Sequence, residues 1–104
     1  MIERRSTKRF PKALPIVFSD SSGEYRGVSM DFSASGLFIL TREPFKPGTM
    51  VKMNLEVPKR KMIRLAGVVI RTIKTGDINV KDGMAIKLDE VPFIYHQFLE
   101  SIEK

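Results

Sequence analysis

The sequence contains no cysteine among its 104 residues and only one histidine. Without cysteine, disulfide bonds and thiolate metal sites are excluded. No apolar run approaches the ~20 residues that a membrane-spanning helix needs. The N-terminal residues MIERRS lack the apolar stretch that follows the charges of a secretory signal. We therefore expect a single domain without a membrane span, located in the cytoplasm.

Motifs of catalysis are also missing. The chain has no phosphate-binding P-loop, no G-x-G-x-x-G, no nucleophile elbow and no metal-ligand spacing. His96 lies among apolar residues, where packing or surface exposure is the commoner role of a lone histidine. We expect no enzymatic activity, no cofactor and no metal.

Positive charge is in excess, with eighteen Lys and Arg against twelve Asp and Glu, a formal net charge of +6. Such a balance favours anionic partners, which include nucleotides, nucleic acids, acidic protein surfaces and lipid headgroups.

Apolar and polar residues alternate over most of the chain, which predicts strands. Pro15 suggests that the first strand lies at an edge or starts irregularly, and Gly67 is the expected bend of the fifth. The predicted strands cover six stretches: 13–19, 25–33, 37–41, 51–57, 62–74 and 84–88.

The period changes at the C-terminus. Ile94, Phe98 and Ile102 are spaced four apart, which predicts one apolar stripe of a helix over 91–104. A charged segment over 1–11, expected to be mobile, precedes the strands of 12–90. Six short antiparallel strands with one helix tend to close into a barrel or a sandwich, so the fold class is all-β.

The stretch DFSASG, Asp31 to Gly36, ends the second predicted strand. One interpretation is a polar turn in which Gly36 takes a positive φ. In the other, Val28, Met30 and Phe32 face the core, so that Asp31 and Ser33 point outward together. A carboxylate there could accept two hydrogen bonds from the N1–H and N2 amino groups of guanine, while Gly36 lets a ligand approach the backbone.

The stretch RRSTKRF, Arg4 to Phe10, places Arg5 and Arg9 four residues apart ahead of the first strand. A basic tail can be a solvated end, a nucleic-acid contact or part of a specific anion site. Arginine supplies a planar fork that fits phosphate oxygens or the O6/N7 edge of guanine.

In order and spacing, RSTKR (Arg5 to Arg9) followed by DFSASG (Asp31 to Gly36) resembles the two motifs of the PilZ domain family. GVVIR (67–71) and DGMAIKL (82–88) are similar to its late strands, so the resemblance covers essentially the whole chain. It implies a six-stranded antiparallel β-barrel that binds the bacterial second messenger cyclic di-GMP, with Arg5, Arg9, Asp31, Ser33 and Gly36 as ligand-binding residues.

The favoured hypothesis is a non-catalytic cyclic di-GMP receptor that orders its N-terminal arm and relays the signal to an effector protein. The resemblance suggests control of motility, adhesion or exopolysaccharide. Arg4 could bind a second, stacked nucleotide, and we expect a monomer or a weak homodimer. Two alternatives remain. One is a small basic barrel that binds RNA or DNA; against it, few aromatic side chains are expected to face outward for base stacking, because Phe32 and Phe38 suit the core. The other is an adaptor that no longer binds nucleotide.

Overall fold

The structure, a computed structural model, describes residues 12–59 and 62–103. It contains six strands and one helix. They are β1 (Leu14–Asp20), β2 (Gly23–Met30), β3 (Gly36–Leu40), β4 (Met50–Leu55), β5 (Ile63–Ile73), β6 (Gly83–Leu88) and α1 (Phe93–Glu103). All six predicted strands are present.

The strands form one closed barrel in the order β1-β2-β3-β6-β5-β4, and every pairing is antiparallel. Closure comes from β1, which pairs with β2 along its length and with β4 through Ile16↔Leu55 to Ser19↔Lys52. The all-β class and the six-stranded barrel with a C-terminal helix are therefore confirmed.

Alternate residues of each strand fill the barrel, as the period-two pattern predicts. In β4, for example, Val51, Met53 and Leu55 are buried while Lys52 is exposed. Two aromatic clusters extend this core. Phe18, Tyr25 and Phe45 pack together near the start of β2, and Phe32, Tyr95 and Phe98 pack together where β2 ends.

The buried stripe of α1 differs from the predicted one. Tyr95, Phe98 and Leu99 are buried, whereas Ile94 and Ile102 are only half-buried. Of the three residues predicted to form the buried stripe, only Phe98 is fully buried. The helix begins at Phe93, directly after Pro92. Proline suits this position because it has no N–H, and backbone N–H groups at the start of a helix have no intrahelical hydrogen-bond partner.

Pro15 does not mark an edge strand, since β1 has a neighbour on each side. The other alternative, an irregular start, agrees with the pairing, because the ladder of β1 with β4 begins only at Ile16 and the Pro15 carbonyl accepts a hydrogen bond from the Glu56 amide at 3.1 Å outside that ladder. The irregularity of β5 lies between Val69 and Arg71 rather than at Gly67. Gly67 serves another purpose, because a Cβ there would collide with the Lys87 carbonyl oxygen of β6.

Candidate functional site

Asp31 follows β2 directly and adopts a left-handed backbone conformation, with φ of 53°. Aspartate is among the few residue types that tolerate this region. This conformation interrupts the alternation of β2. In a regular strand Asp31 would face the same side as the buried Ser29, but Asp31 is only half-buried. Its side chain is half-buried, and among residues 12–59 and 62–103 no group hydrogen-bonds to its carboxylate.

The alternation within β2 is the reverse of the predicted one. Ser29 is fully buried, and its hydroxyl donates a 2.8 Å hydrogen bond to the Leu14 carbonyl of β1. Val28 is 40% exposed and Met30 is half-buried. Because Ser33 is also buried, the expectation that Asp31 and Ser33 share an outward face is wrong.

Ser33 and Gly36 close a tight loop on each other. The Ser33 amide donates to the Gly36 carbonyl at 2.9 Å, and the Ser33 hydroxyl accepts from the Gly36 amide at 3.2 Å. The loop is also tied to β6, since the Leu88 amide donates to the Ser35 carbonyl at 2.8 Å. Ala34 and Ser35 are left exposed at the tip, whereas the Ser33 hydroxyl is bonded within the loop.

Gly36 does not have the positive φ that was expected of it; in the described residues, the glycines with positive φ are Gly48 and Gly76. Its lack of a side chain is needed inside the sheet, because a Cβ would collide with the Ile86 carbonyl oxygen. The glycine of this motif thus lets β6 approach β3 closely.

α1 also contacts the Asp31–Gly36 turn, through Tyr95 and Phe98. The Tyr95 hydroxyl donates a 2.8 Å hydrogen bond to the Ser33 carbonyl. The Phe32 and Phe98 rings meet edge to face, with centroids 5.2 Å apart. Burial raises the pKa of the Tyr95 hydroxyl, so this donor keeps its proton. Sequence reasoning missed Tyr95, although a buried tyrosine needs a hydrogen-bond partner.

Arg4, Arg5 and Arg9 lie outside the described residues. The point at which the N-terminal segment joins the barrel is described, however. Leu14, the first residue of β1, pairs with Ser29, two residues before Asp31. In this antiparallel register the chain enters β1 at the same end of the β1–β2 pair as the Asp31 turn.

The barrel surface beside Asp31 is apolar. Met30 of β2 lies opposite Phe38 of β3, which in turn lies opposite Ala85 of β6. All three are half-exposed, whereas Ser29 and the residues that flank Phe38 and Ala85 in sequence are buried. Phe38 therefore faces outward, contrary to expectation, whereas Phe32 is buried as expected. Alternation around the buried Ile39 is the signal that could have placed Phe38 outside.

The family model for the PilZ domain matches residues 3–102. The chain belongs to the PilZ domain family. PilZ domains are cyclic di-GMP receptors and adaptors, and the motifs of Asp31–Gly36 and of Arg5–Arg9 both fall within the matched range.

Among solved structures, the PilZ barrel is similar to the Bacillus subtilis inhibitor of motility, MotI/DgrA, with a TM-score of 0.76 and 22% sequence identity. The superposition covers 94% of this chain and 48% of that one, so the chain spans about half the length of MotI. The likeness shows a shared fold. A comparison with curated proteins gave no match.

Two further observations bear on what this PilZ domain can hold. In the part of the chain that the structure describes, no three His, Cys, Asp or Glu side chains are grouped so that they could bind a metal ion. Within the same residues, no helix has the length and apolar character needed to cross a bilayer.

Replacing Tyr95 with phenylalanine tests whether its hydroxyl holds the Asp31–Gly36 turn. We expect Tyr95→Phe to lower the free energy of unfolding by about 1–2 kcal/mol, the cost of removing one partner from a buried hydrogen bond. Urea denaturation at neutral pH measures this. Tyr25→Phe is the matched control, because the Tyr25 hydroxyl makes no hydrogen bond among residues 12–59 and 62–103.

The difference in unfolding free energy between wild type and Tyr95→Phe should depend on pH. The unfolded chain loses the tyrosine proton near pH 10, whereas burial raises the pKa of Tyr95 in the folded state. The stability that Tyr95 adds is therefore complete below about pH 10 and declines above it. The gap between wild type and Tyr95→Phe should be constant from pH 7 to 9 and narrow at higher pH. A gap that widens above pH 10 would contradict this assignment.

Proposed function

We propose that this PilZ domain is a non-catalytic receptor for cyclic di-GMP that relays the signal to a partner protein by ordering its N-terminal arm. The ligand-binding residues of the proposal are Arg4, Arg5, Arg9, Asp31, Ser33 and Gly36. Family membership supports the ligand, and the position of the Asp31 turn beside the start of β1 supports the arrangement. Action in the cytoplasm and control of motility, adhesion or exopolysaccharide belong to the same proposal.

The register of β1 on β2 carries this proposal. Leu14 and Ser29 are paired, and the Ser29 hydroxyl bonds to the Leu14 carbonyl at 2.8 Å, so the start of β1 is held firmly beside the Asp31 turn. Arg9 precedes Leu14 by only five residues. Five extended residues span at most roughly 18 Å, which limits how far Arg9 can lie from the start of β1.

Each group of the site has a chemical role toward a guanine dinucleotide. The Asp31 carboxylate accepts hydrogen bonds from the N1–H and N2 amino groups of one guanine. The Arg5 and Arg9 guanidinium groups bind phosphate oxygens or the O6/N7 edge of guanine. Ser33 and Gly36 act through the loop they close, which holds Asp31 and the exposed main chain in a fixed geometry.

The outward row of Met30, Phe38 and Ala85 completes the site. A purine has two apolar faces, and these half-exposed side chains form a row across β2, β3 and β6 that begins at Met30, next to Asp31. Packing a base on them removes apolar surface from water on both partners. The row thus favours a flat, aromatic ligand at this position.

The distribution of charge does not support the nucleic-acid alternative. Residues 12–59 and 62–103 carry eleven Lys and Arg and eleven Asp and Glu. The whole excess of positive charge therefore belongs to residues 1–11, 60–61 and 104. Proteins that follow a nucleic-acid backbone use a continuous basic groove, which a net charge of zero over the described residues does not favour.

Arg5→Ala and Arg9→Ala should each weaken cyclic di-GMP binding by roughly ten- to a hundredfold, since each removes a charged hydrogen-bonding contact that contributes about 1.5–3 kcal/mol. Arg42→Ala is the matched control, because Arg42 follows β3 at the opposite end of the barrel and is exposed. Isothermal titration calorimetry measures all three. Wild-type affinity in either Arg5→Ala or Arg9→Ala would overturn the arginine clamp.

Asp31→Ala should abolish the preference for guanine over adenine. Adenine presents an acceptor at N1, which would face the Asp31 carboxylate unfavourably. Titrating cyclic di-GMP and cyclic di-AMP into wild type and Asp31→Ala measures the preference. If wild type binds the two dinucleotides equally, Asp31 does not recognise a guanine edge.

Arg4 is the basis of a further hypothesis, that two stacked cyclic di-GMP molecules bind per chain. On an extended segment Arg4 and Arg5 point to opposite sides, so Arg4 is free to contact a second nucleotide rather than the first. Calorimetry should give a stoichiometry of two for wild type and one for Arg4→Leu. A stoichiometry of one in wild type, unchanged by Arg4→Leu, would show that Arg4 supplies only electrostatic attraction.

A further inference from the structure

The outer face of α1 displays a phenylalanine to solvent. Phe93 is 73% exposed, and it is the only aromatic among the exposed large apolar side chains of the described residues. Tyr95, Phe98 and Leu99 turn toward the core, and at 100° per residue Phe93 lies on the opposite side of the helix. It therefore cannot pack on its own barrel, and an exposed phenylalanine of this kind is a candidate anchor for a partner.

The segment that carries this aromatic side chain is acidic in sequence. Residues 89–102 contain Asp89, Glu90 and Glu100 and no lysine or arginine, and Lys52 and Arg64 of the barrel wall lie with Asp89 and Glu90 around one pocket. Phe93, Gln97 and Glu100 are spaced at i, i+4 and i+7, so they form one exposed row along the helix. A partner that buries Glu100 in this row must bring positive charge, because a buried carboxylate needs a compensating group.

The same helix is attached to the Asp31–Gly36 turn. Tyr95 donates its hydrogen bond to Ser33, and Phe98 packs against Phe32. One face of α1 therefore contacts the Asp31–Gly36 turn, and the opposite face, which carries Phe93, is exposed to solvent. A protein seated on α1 would contact the element that holds the turn.

We propose that the outer face of α1, defined by Glu90, Phe93, His96, Gln97 and Glu100, is a docking surface for a protein partner. The partner has a cationic surface around an apolar pocket, and Phe93 enters that pocket. This inference goes beyond the proposed receptor function, and it does not depend on which nucleotide the domain binds. A second copy of the chain is a poor occupant in a two-fold contact, since each α1 face would meet the same carboxylates.

Selection from a displayed library of random twelve-residue peptides tests the proposal with the full-length chain immobilised. Selections run with and without cyclic di-GMP, so that a failure of nucleotide binding is not mistaken for a failure of docking. We expect enrichment, in at least one condition, of peptides that are cationic and carry apolar residues. Synthetic versions of the enriched peptides are then titrated into the wild-type protein and its variants.

Phe93→Ala should weaken binding of the selected peptides at least tenfold, and Glu100→Lys should weaken it and reduce its dependence on salt. Ile78→Ala is the matched control, because Ile78 is 95% exposed on the loop between β5 and β6, away from α1. Its affinity should equal that of wild type. Thermal unfolding of each variant confirms that the exposed substitutions leave the fold intact.

Three results would overturn the proposal. The selected peptides could be acidic or neutral, Phe93→Ala could bind them as wild type does, or no peptide could be enriched over a selection on Phe93→Ala. Sedimentation velocity adds a fourth. A wild-type dimer that Phe93→Ala converts to monomer would show that the face is covered by a second copy of this chain.

Discussion

The hydrogen bond from the Tyr95 hydroxyl to the Ser33 carbonyl, made beside the contact of Phe32 with Phe98, is the interaction on which the site depends. These residues close one end of the hydrophobic core and fix the Asp31–Gly36 turn with the same contacts. The geometry of the turn is therefore part of the stability of the barrel. The Asp31–Gly36 turn is therefore organised without a ligand, so a molecule that binds there does not have to order this part of the chain.

Most of the strands could be predicted because a half-buried strand imposes a period of two, and β4 shows it clearly with Val51, Met53 and Leu55 inside. The turn could not be predicted in detail. Val28 and Met30 suggested an inward face by their apolar character, but Ser29 occupies the interior because its hydroxyl finds the Leu14 carbonyl. The left-handed conformation of Asp31 then interrupts the alternation of inward and outward side chains, so that Phe32 and Ser33 are both buried. The spacing of apolar residues cannot predict such an interruption.

The helix shows a similar limit. Spacing of Ile94, Phe98 and Ile102 identified a helix correctly but placed its buried stripe about one position away from the observed one. Tyr95 and Leu99 lie at the centre because a tyrosine with a polar partner can be buried as fully as an isoleucine. Arg4, Arg5 and Arg9 lie outside the described residues, so their role in ligand binding stays a prediction from the sequence.

Closure of the barrel restricts how other molecules can recognise this domain. Each of the six described strands has a hydrogen-bonded neighbour on both sides over part of its length. No described strand therefore offers an open edge along its whole length to an extended peptide or to a second copy of the domain. Recognition therefore relies mainly on side chains of the outer wall, on the loops at the two ends of the barrel, and on the helix.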